Sequence, residues 1–394
     1  MVASSWISNL GDGFALSAGP LLVASRTHDP TLVALATLLQ RLPWLVFSLP
    51  AGVLADQKNR AVIVAAADLL RGGLLATLAI LIITGRVNIG LVLAAMLLLG
   101  TAEVFSNTAS SALLPLLVHR DDLALANSRL QAGFVTVFQL AGPPLGAALF
   151  AISVPYPFAG QAILVGLGAV LITQVRRNAA IARASSVRRV GTEIVEGFQW
   201  VRRNAAVRTL VLTILVFNIT FGAAWSVLVL YAKERLGMDA VGFGLLTAAG
   251  AVGGIAGTTA YGWITRRISL FNLMRIGLIV ETFTHLGLAL TTQQVVALGI
   301  MVAFGAHAFI WGTTSVTIRQ RAVPHGLQGR VSSINALATF GRLVIGSALG
   351  GPIASHWGIT APFWFACVGS AAFVILMWRE LGHIAHQEEA VAVS

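Results

Sequence analysis

The sequence predicts an all-α membrane protein: twelve transmembrane helices in two six-helix bundles. Three observations predict it: a composition that a water-facing surface would not tolerate, apolar runs of membrane-crossing length from end to end, and a second half that echoes the first. Of 394 residues, 57% are hydrophobic and only 10% charged, and mean hydropathy is +0.84, whereas a soluble domain carries about 25% charged residues. Runs of roughly 20 apolar residues suffice to cross a hydrocarbon core about 30 Å thick at 1.5 Å per residue. Twelve such runs cover approximately 3–25, 31–54, 61–84, 88–110, 128–151, 156–175, 208–231, 242–264, 269–291, 295–317, 331–354 and 359–379.

The first run begins at the initiator Met and contains Asn9 and Asp12. It has no basic segment before it and no small-residue cleavage site, so it reads as a retained span and not a signal peptide. The second ends at Gly52 before a charged turn with Asp56, Lys58 and Arg60, and the third places Asp68 and Arg71 in an apolar run. The fourth holds Glu103 and Asn107, and the fifth contains GPPLG at 142–146. Six spans thus fill 1–175. The longest polar stretch follows, a basic linker over 176–207. Its positions Ile194, Phe198 and Val201 fall at helical spacing, which suits either a solvated tether or an amphipathic helix on an anionic inner leaflet. Spans seven to twelve occupy 208–379, and a tail covers 380–394.

The second half repeats landmarks of the first at a near-constant offset. Gly52 and Gly262 each end a span before a basic turn, and Pro115 and Pro324 each follow a fourth span. GPPLG and ALGGP (348–352) stand near the ends of the fifth and eleventh spans. Parallel repeats related by an axis along the membrane normal are a transporter plan.

A net charge of +11 would suit nucleic acid, but the placement of the basic residues points to a bilayer. With both termini cytoplasmic, inside loops hold 18 Lys and Arg, outside loops four, and the spans four: Arg41, Arg71, Arg275 and Arg342. This is the positive-inside asymmetry of a protein of the cell's inner (plasma) membrane. The single cysteine, Cys367, excludes an intramolecular disulfide. No phosphate-binding Gly-rich loop and no nucleophile with its base appear, so the sequence predicts no enzyme and no cofactor. HIAH at 383–386 offers two imidazoles without further ligands, and no metal site is expected.

GVLADQKNR at 52–60 resembles the signature loop of the major facilitator superfamily, G-x-L-a-D-r-x-x-R-R/K, matching at Gly52, Leu54, Asp56 and Arg60 and departing at Gln57 and Ala61. Gly52 is expected to permit close helix approach, and Asp56 to sit at the start of the third helix, at its positive dipole end. The resemblance implies that Gly52, Asp56 and Arg60 form a gating loop. The phrases RLPWLVFSLPAGVLAD, ALANSRL and RQRAVPHGLQGRVSS resemble the branch with the enterobactin exporter and actinobacterial drug and macrolide effluxers. On helix five, Gly142, Pro143 and Gly146 match part of the antiporter motif G-x-x-x-G-P-x-x-G-G, with Phe138 and Ala147 replacing glycines. Gly250, Gly253, Gly254 and Gly257 give span eight a small-residue surface for tight packing. The resemblance implies that spans five and eight meet.

Charges inside spans are expensive, about 2.5–3.5 kcal/mol each at a helix centre, so they must face one another or a wet cavity. Asp68 and Arg71, three residues apart, share a helix face and can pair. Arg275 can snorkel to the inner surface. Arg41 and Arg342 lack a same-helix carboxylate, and Asp12, Asp68 and Glu103 are their candidate partners. The resemblance implies that spans 1, 4, 7 and 10 line a central cavity, which makes Asp12 and Glu103 the leading proton carriers. Desolvation favours a protonated carboxyl and a nearby guanidinium an ionised one, so a cavity that alternately wets and dries moves a proton. An ordinary salt bridge is the alternative. Many proton-coupled members carry an Arg on span four, where this chain has Glu103. Glu281 and His285, at i,i+4, read as a structural pair.

By the same resemblance Asn9, Asn107, Asn218, Trp225, His307 and Trp311 are candidates to line the path. Tryptophans and scattered amides suit a large amphiphilic or cationic molecule. The expected function is a monomeric secondary active transporter exporting small amphiphilic molecules by alternating access as a proton antiporter. An importer or facilitator, or a lipid scramblase or sensor on the same scaffold, are the alternatives.

Overall fold

The computed structural model describes residues 2–119, 122–174, 198–202, 204–323 and 328–378. Helices fill nearly all of them, and no strand occurs among the described residues. They are α1 Val2–Arg26, α2 Pro30–Gln57, α3 Arg60–Ile83, α4 Ile89–Leu117, α5 Leu123–Gly133, α6 Gly142–Ile152 and α7 Tyr156–Thr173. There follow α8 Ala205–Ser226, the single turn α9 Leu228–Leu230, α10 Ala240–Thr265, α11 Leu270–Leu290, α12 Gln294–Ala322, α13 Gln328–Trp357 and α14 Ala361–Met377. A π-helical segment, Phe134–Ala141, joins α5 to α6 in one rod, and another, Tyr231–Arg235, extends α9. Nine helical rods among the described residues are long and apolar enough to cross a membrane. The other three expected spans correspond to α1, α13 and the 17-residue α14. Side chains such as Ile83, Ile152, Ile375 and Leu376 are at least 70% exposed, which only lipid tails would accommodate in such number. The tail 380–394 with HIAH lies outside the described residues, as does most of the linker. Of its three apolar positions, Ile194 lies outside them, Phe198 is exposed, and Val201 packs with Val207 and Val323.

Local chemistry sets the helix ends. Asp29, Asn59, Asn88, Asn204 and Ser269 each cap a helix through a side-chain oxygen that accepts a backbone N–H of the first turn. After α3, Gly85 takes φ +68°, and Arg86 N–H returns to the Leu81 carbonyl. Pro143 and Pro144 remove two consecutive N–H donors. The chain takes the wider π turn just before them, with Gly142 N–H reaching back to the Val137 carbonyl.

The chain divides into two compact units, 1–186 with 232–248, and 187–231 with 249–394. In the first, α1 packs on α6 and α7, α3 on α4 and α7, and α2 on α4. Ala55, Ala65, Ala109, Leu113 and Ile172 form a core where α2, α3, α4 and α7 converge. In the second, α8 packs on α13 and α14, and α11 on α12 and α14, around Phe217, Met274, Leu278 and Ile318.

Both units contain a similar crossing of glycines. A Cβ added to Gly13 would stand 2.8 Å from Gly142 Cα, and one on Gly222 would stand 3.2 Å from Gly346 Cα. Gly146 abuts Phe14 as Gly350 abuts Ala223. The counterpart of Gly142 and Gly146 is therefore Gly346 and Gly350, the second of which lies in the ALGGP phrase. Gly253 and Gly257 press on the α12 backbone at Val302 and Ala306. The start of α10 belongs to the first unit, where Gly244 meets Ala147 and the Pro143 carbonyl.

Candidate functional site

In the first unit four helices bring polar side chains to Arg71. Its Nη1 donates to Asp68 Oδ1 at 3.2 Å, one turn back on α3, and its Nη2 pairs with Asp12 Oδ1 on α1. From α4, Ser106 Oγ donates to Asp68 Oδ1 at 2.7 Å, and from α7, Gln161 Nε2 donates to Asp12 Oδ1 at 3.1 Å. Asp68 and Arg71 are 3% and 5% exposed. Charges so far from water persist only because each is paired and hydrogen-bonded. The i,i+3 spacing announces Asp68 with Arg71, whereas Asp12 joins them only through the packing of α1 near α3.

Glu103, on α4, lies in the electrostatic field of Arg71, Asp12 and Arg41. Among the described residues it makes no hydrogen bond or ion pair. Arg41, half-buried on α2, is the second guanidinium of the cluster. With every group ionised, three carboxylates (Asp12, Asp68, Glu103) face two guanidiniums (Arg41, Arg71), an excess of one negative charge. Arg342 is part of the second unit, on α13.

The charged turn differs from expectation in two respects. Asp56 is not at the start of α3 but in the last turn of α2, and Asn59 caps α3 by accepting from Ala61 N–H at 3.0 Å. An acid at a helix C-terminus opposes the dipole, and Arg60 offsets it, pairing with Asp56 at 3.3 Å. Arg60 Nε also donates to the Ala55 carbonyl, one of the four left without an intrahelical partner at the end of α2, and Nη1 donates to the Ala112 carbonyl on α4, each at 3.0 Å. Arg60 thereby ties α2, α3 and α4 together. Among the described residues nothing lies within 4 Å of where a Cβ on Gly52 would stand, so no close approach there accounts for the glycine.

The second unit holds a cavity of about 310 Å³, lined by aromatic rings and a few polar groups. Phe217, Asn218 and Phe221 come from α8, Glu281 from α11, Phe304, His307 and Trp311 from α12, and Arg342 from α13. Of the residues expected along the transport path, Asn218, His307 and Trp311 line this cavity. Trp225 is not in this wall: it stacks on Phe221 one turn further along α8, with ring centroids 4.2 Å apart. Asn9 and Asn107 lie in the first unit, half-buried and exposed respectively. Glu281 links two imidazoles, which sequence spacing only half reveals. His307 Nε2 lies 2.8 Å from its Oε2, and His285 Nε2 lies 3.3 Å from its Oε1, within ion-pair reach but without hydrogen-bond alignment. His307 is 26 residues away, and only the packing of α11 on α12 reveals it. Arg275 lies outside the cavity. It stacks between Phe271 and Trp378, 4.1 and 4.2 Å from the ring centres, and donates to the Trp378 carbonyl at 2.6 Å.

A polytopic helical bundle with duplicated glycine crossings, buried charge and an aromatic cavity defines a class: membrane transporters of the major facilitator fold. More particularly, the chain belongs to the transmembrane secretion effector family of the major facilitator superfamily, whose pattern it matches over residues 1–392. It is a membrane transporter and not an enzyme. None of the curated protein sequences matches it. Among solved structures it resembles a bacterial homologue of the iron transporter ferroportin in an inward-facing state. Identity is 19% and TM-score 0.71, with 98% of this chain and 97% of that chain covered. The nucleoside transporter NupG is 11% identical, with TM-score 0.74 and 97% of each chain covered. A bacterial homologue of the human lysosomal transporter Spinster, inward-facing and occupied, is 11% identical, with TM-score 0.71 and coverage of 98% and 95%. At these identities the likeness is one of fold.

Proposed function

We infer that the protein exports small amphiphilic molecules across the inner (plasma) membrane by alternating access, as a proton antiporter with both termini cytoplasmic. Spans within 1–175 and 208–379 form the two moving bundles, and 176–207 is a basic linker on the anionic inner leaflet. The observation that carries proton coupling is the charge excess around Arg71. Three carboxylates against two guanidiniums leave one negative charge in a low-dielectric interior, and one bound proton removes it. Glu103 is the proton site, because Asp12 and Asp68 are already held by Arg71, Ser106 and Gln161, whereas Glu103 has no such partner among the described residues. Asp12 anchors the cluster. Ring-lined walls in the second unit favour an amphiphilic cargo, and the family's secretion description favours export over import.

The test is transport in reconstituted vesicles. An imposed pH gradient should drive accumulation of an amphiphilic dye by the wild-type protein, and dissipating the gradient should abolish it. Accumulation independent of the gradient would refute proton coupling. Lipid movement in place of dye movement would favour the scramblase.

A further inference from the structure

We propose that Asn218 selects among aromatic cargoes, preferring those that carry an N–H or O–H donor on the edge of the ring, as an indole or a phenol does. This rests on the reading of the second unit's cavity as the cargo's. Asn218 stands on α8 between Phe217 and Phe221 in sequence, and all three line the cavity with Phe304 of α12. Phe221 and Phe304 are nearly parallel, with planes 13° apart and centroids at 5.7 Å, and Trp225 packs on both, at 4.2 and 4.8 Å. Rings held in this way offer their faces to a flat aromatic molecule, and about 310 Å³ accommodates two fused rings. A donor in the plane of such a molecule points away from the stack, toward whatever polar group borders the rings.

Asn218 presents an acceptor at that border. Its Nδ2 donates to the Ile214 carbonyl one turn back, at 3.0 Å. That bond fixes the amide, because turning it over would set Oδ1 against another carbonyl oxygen. Oδ1 accepts no hydrogen bond among the described residues, and it is not sealed off: the residue is half-buried, and this oxygen keeps access to the space it borders. The other charged groups of the wall do not compete for a donor. The Glu281 oxygens are engaged by His307 and His285, and Arg342 offers donors only, whatever it pairs with. Solvent can satisfy Oδ1 before cargo enters. A ring without a donor excludes that solvent and leaves the oxygen bare, whereas a ring with an edge N–H replaces the lost hydrogen bond. The discrimination is therefore mainly a penalty on the wrong ring.

Equilibrium dialysis of the purified full-length protein in detergent, with empty micelles as the blank, tests this with indole and benzofuran. Both are uncharged and nearly identical in shape, and the N–H of one is a ring oxygen in the other. Indole should bind roughly 5- to 50-fold more tightly by free concentration, the span expected for one neutral acceptor satisfied or left bare. Asn218→Leu should bind the two within about twofold of each other, since no acceptor remains to be satisfied. Benzofuran should bind that variant at least as tightly as wild type, which also shows that it is folded. Should Asn218→Leu bind neither ring, Asn218→Ala, which adds no bulk, takes its place. Equal binding of the two rings by wild type, no binding of either, a preference for indole that survives in the variants, or loss of both rings from both variants would overturn the proposal. Gradient-driven dye export without an indole preference would sink this inference and spare the exporter reading. An indole preference without gradient-driven export would do the reverse.

Discussion

Replacing Arg71 with Met should be among the most damaging single changes in the first unit. The side-chain volume is nearly kept, so the loss is electrostatic. Asp12 and Asp68 lose their shared counter-ion while their side chains stay 19% and 5% exposed. Removing one partner of a buried pair costs about 3–5 kcal/mol, a large part of a total stability of roughly 5–15 kcal/mol. At about 2–4 °C per kcal/mol for a unit of this size, the midpoint of thermal unfolding in detergent should fall by roughly 6–20 °C. The cause can be isolated by removing the stranded charges as well. The triple variant Asp12→Asn, Asp68→Asn, Arg71→Met should recover most of the loss, since no uncompensated ion remains. An Arg71→Met protein that melts within about 2 °C of wild type would show that the cluster is solvated and that the pairing contributes little. Failure of the triple variant to recover would place the loss in packing, not charge.

Three other outcomes follow from the geometry. Arg60→Ala removes the donors to Ala55 and Ala112 and should cost about 1–3 kcal/mol, with faster amide exchange at the end of α2 as the local readout. Gly346→Val drives a side chain into the Ile219 backbone, which cannot yield as a flexible side chain would, so the variant should lose its monodisperse peak in size-exclusion chromatography. Gly52→Ala, by contrast, meets open space in a helix interior and should raise stability by about 0.5–1 kcal/mol.

The parts of the fold that depend on local pattern were readable in advance. Apolar runs mark the spans because the bilayer demands about 20 such residues whatever the neighbours are, and i,i+3 spacing pairs Asp68 with Arg71 on one face. What tertiary packing decides was not readable. Asp12 reaches Arg71 across 59 positions, and His307 reaches Glu281 across 26. Asp56 was assigned to the wrong helix because the motif continues across a helix boundary that Asn59, a stronger cap, sets. Trp225 illustrates a further limit. Phe221 and Trp225 share one face of α8 a turn apart, so the difference is one of depth along the axis: Phe221 lines the cavity and Trp225 stacks on it one turn further on.

Proton coupling through Glu103 is the central claim, and proton release on cargo binding measures it most directly. In a weakly buffered detergent solution with a pH indicator, adding a saturating amphiphilic substrate to the wild-type protein should release about one proton per protein, matching the single excess charge of the cluster. Glu103→Gln should bind the same substrate and release none. Equal release from both proteins would contradict the account.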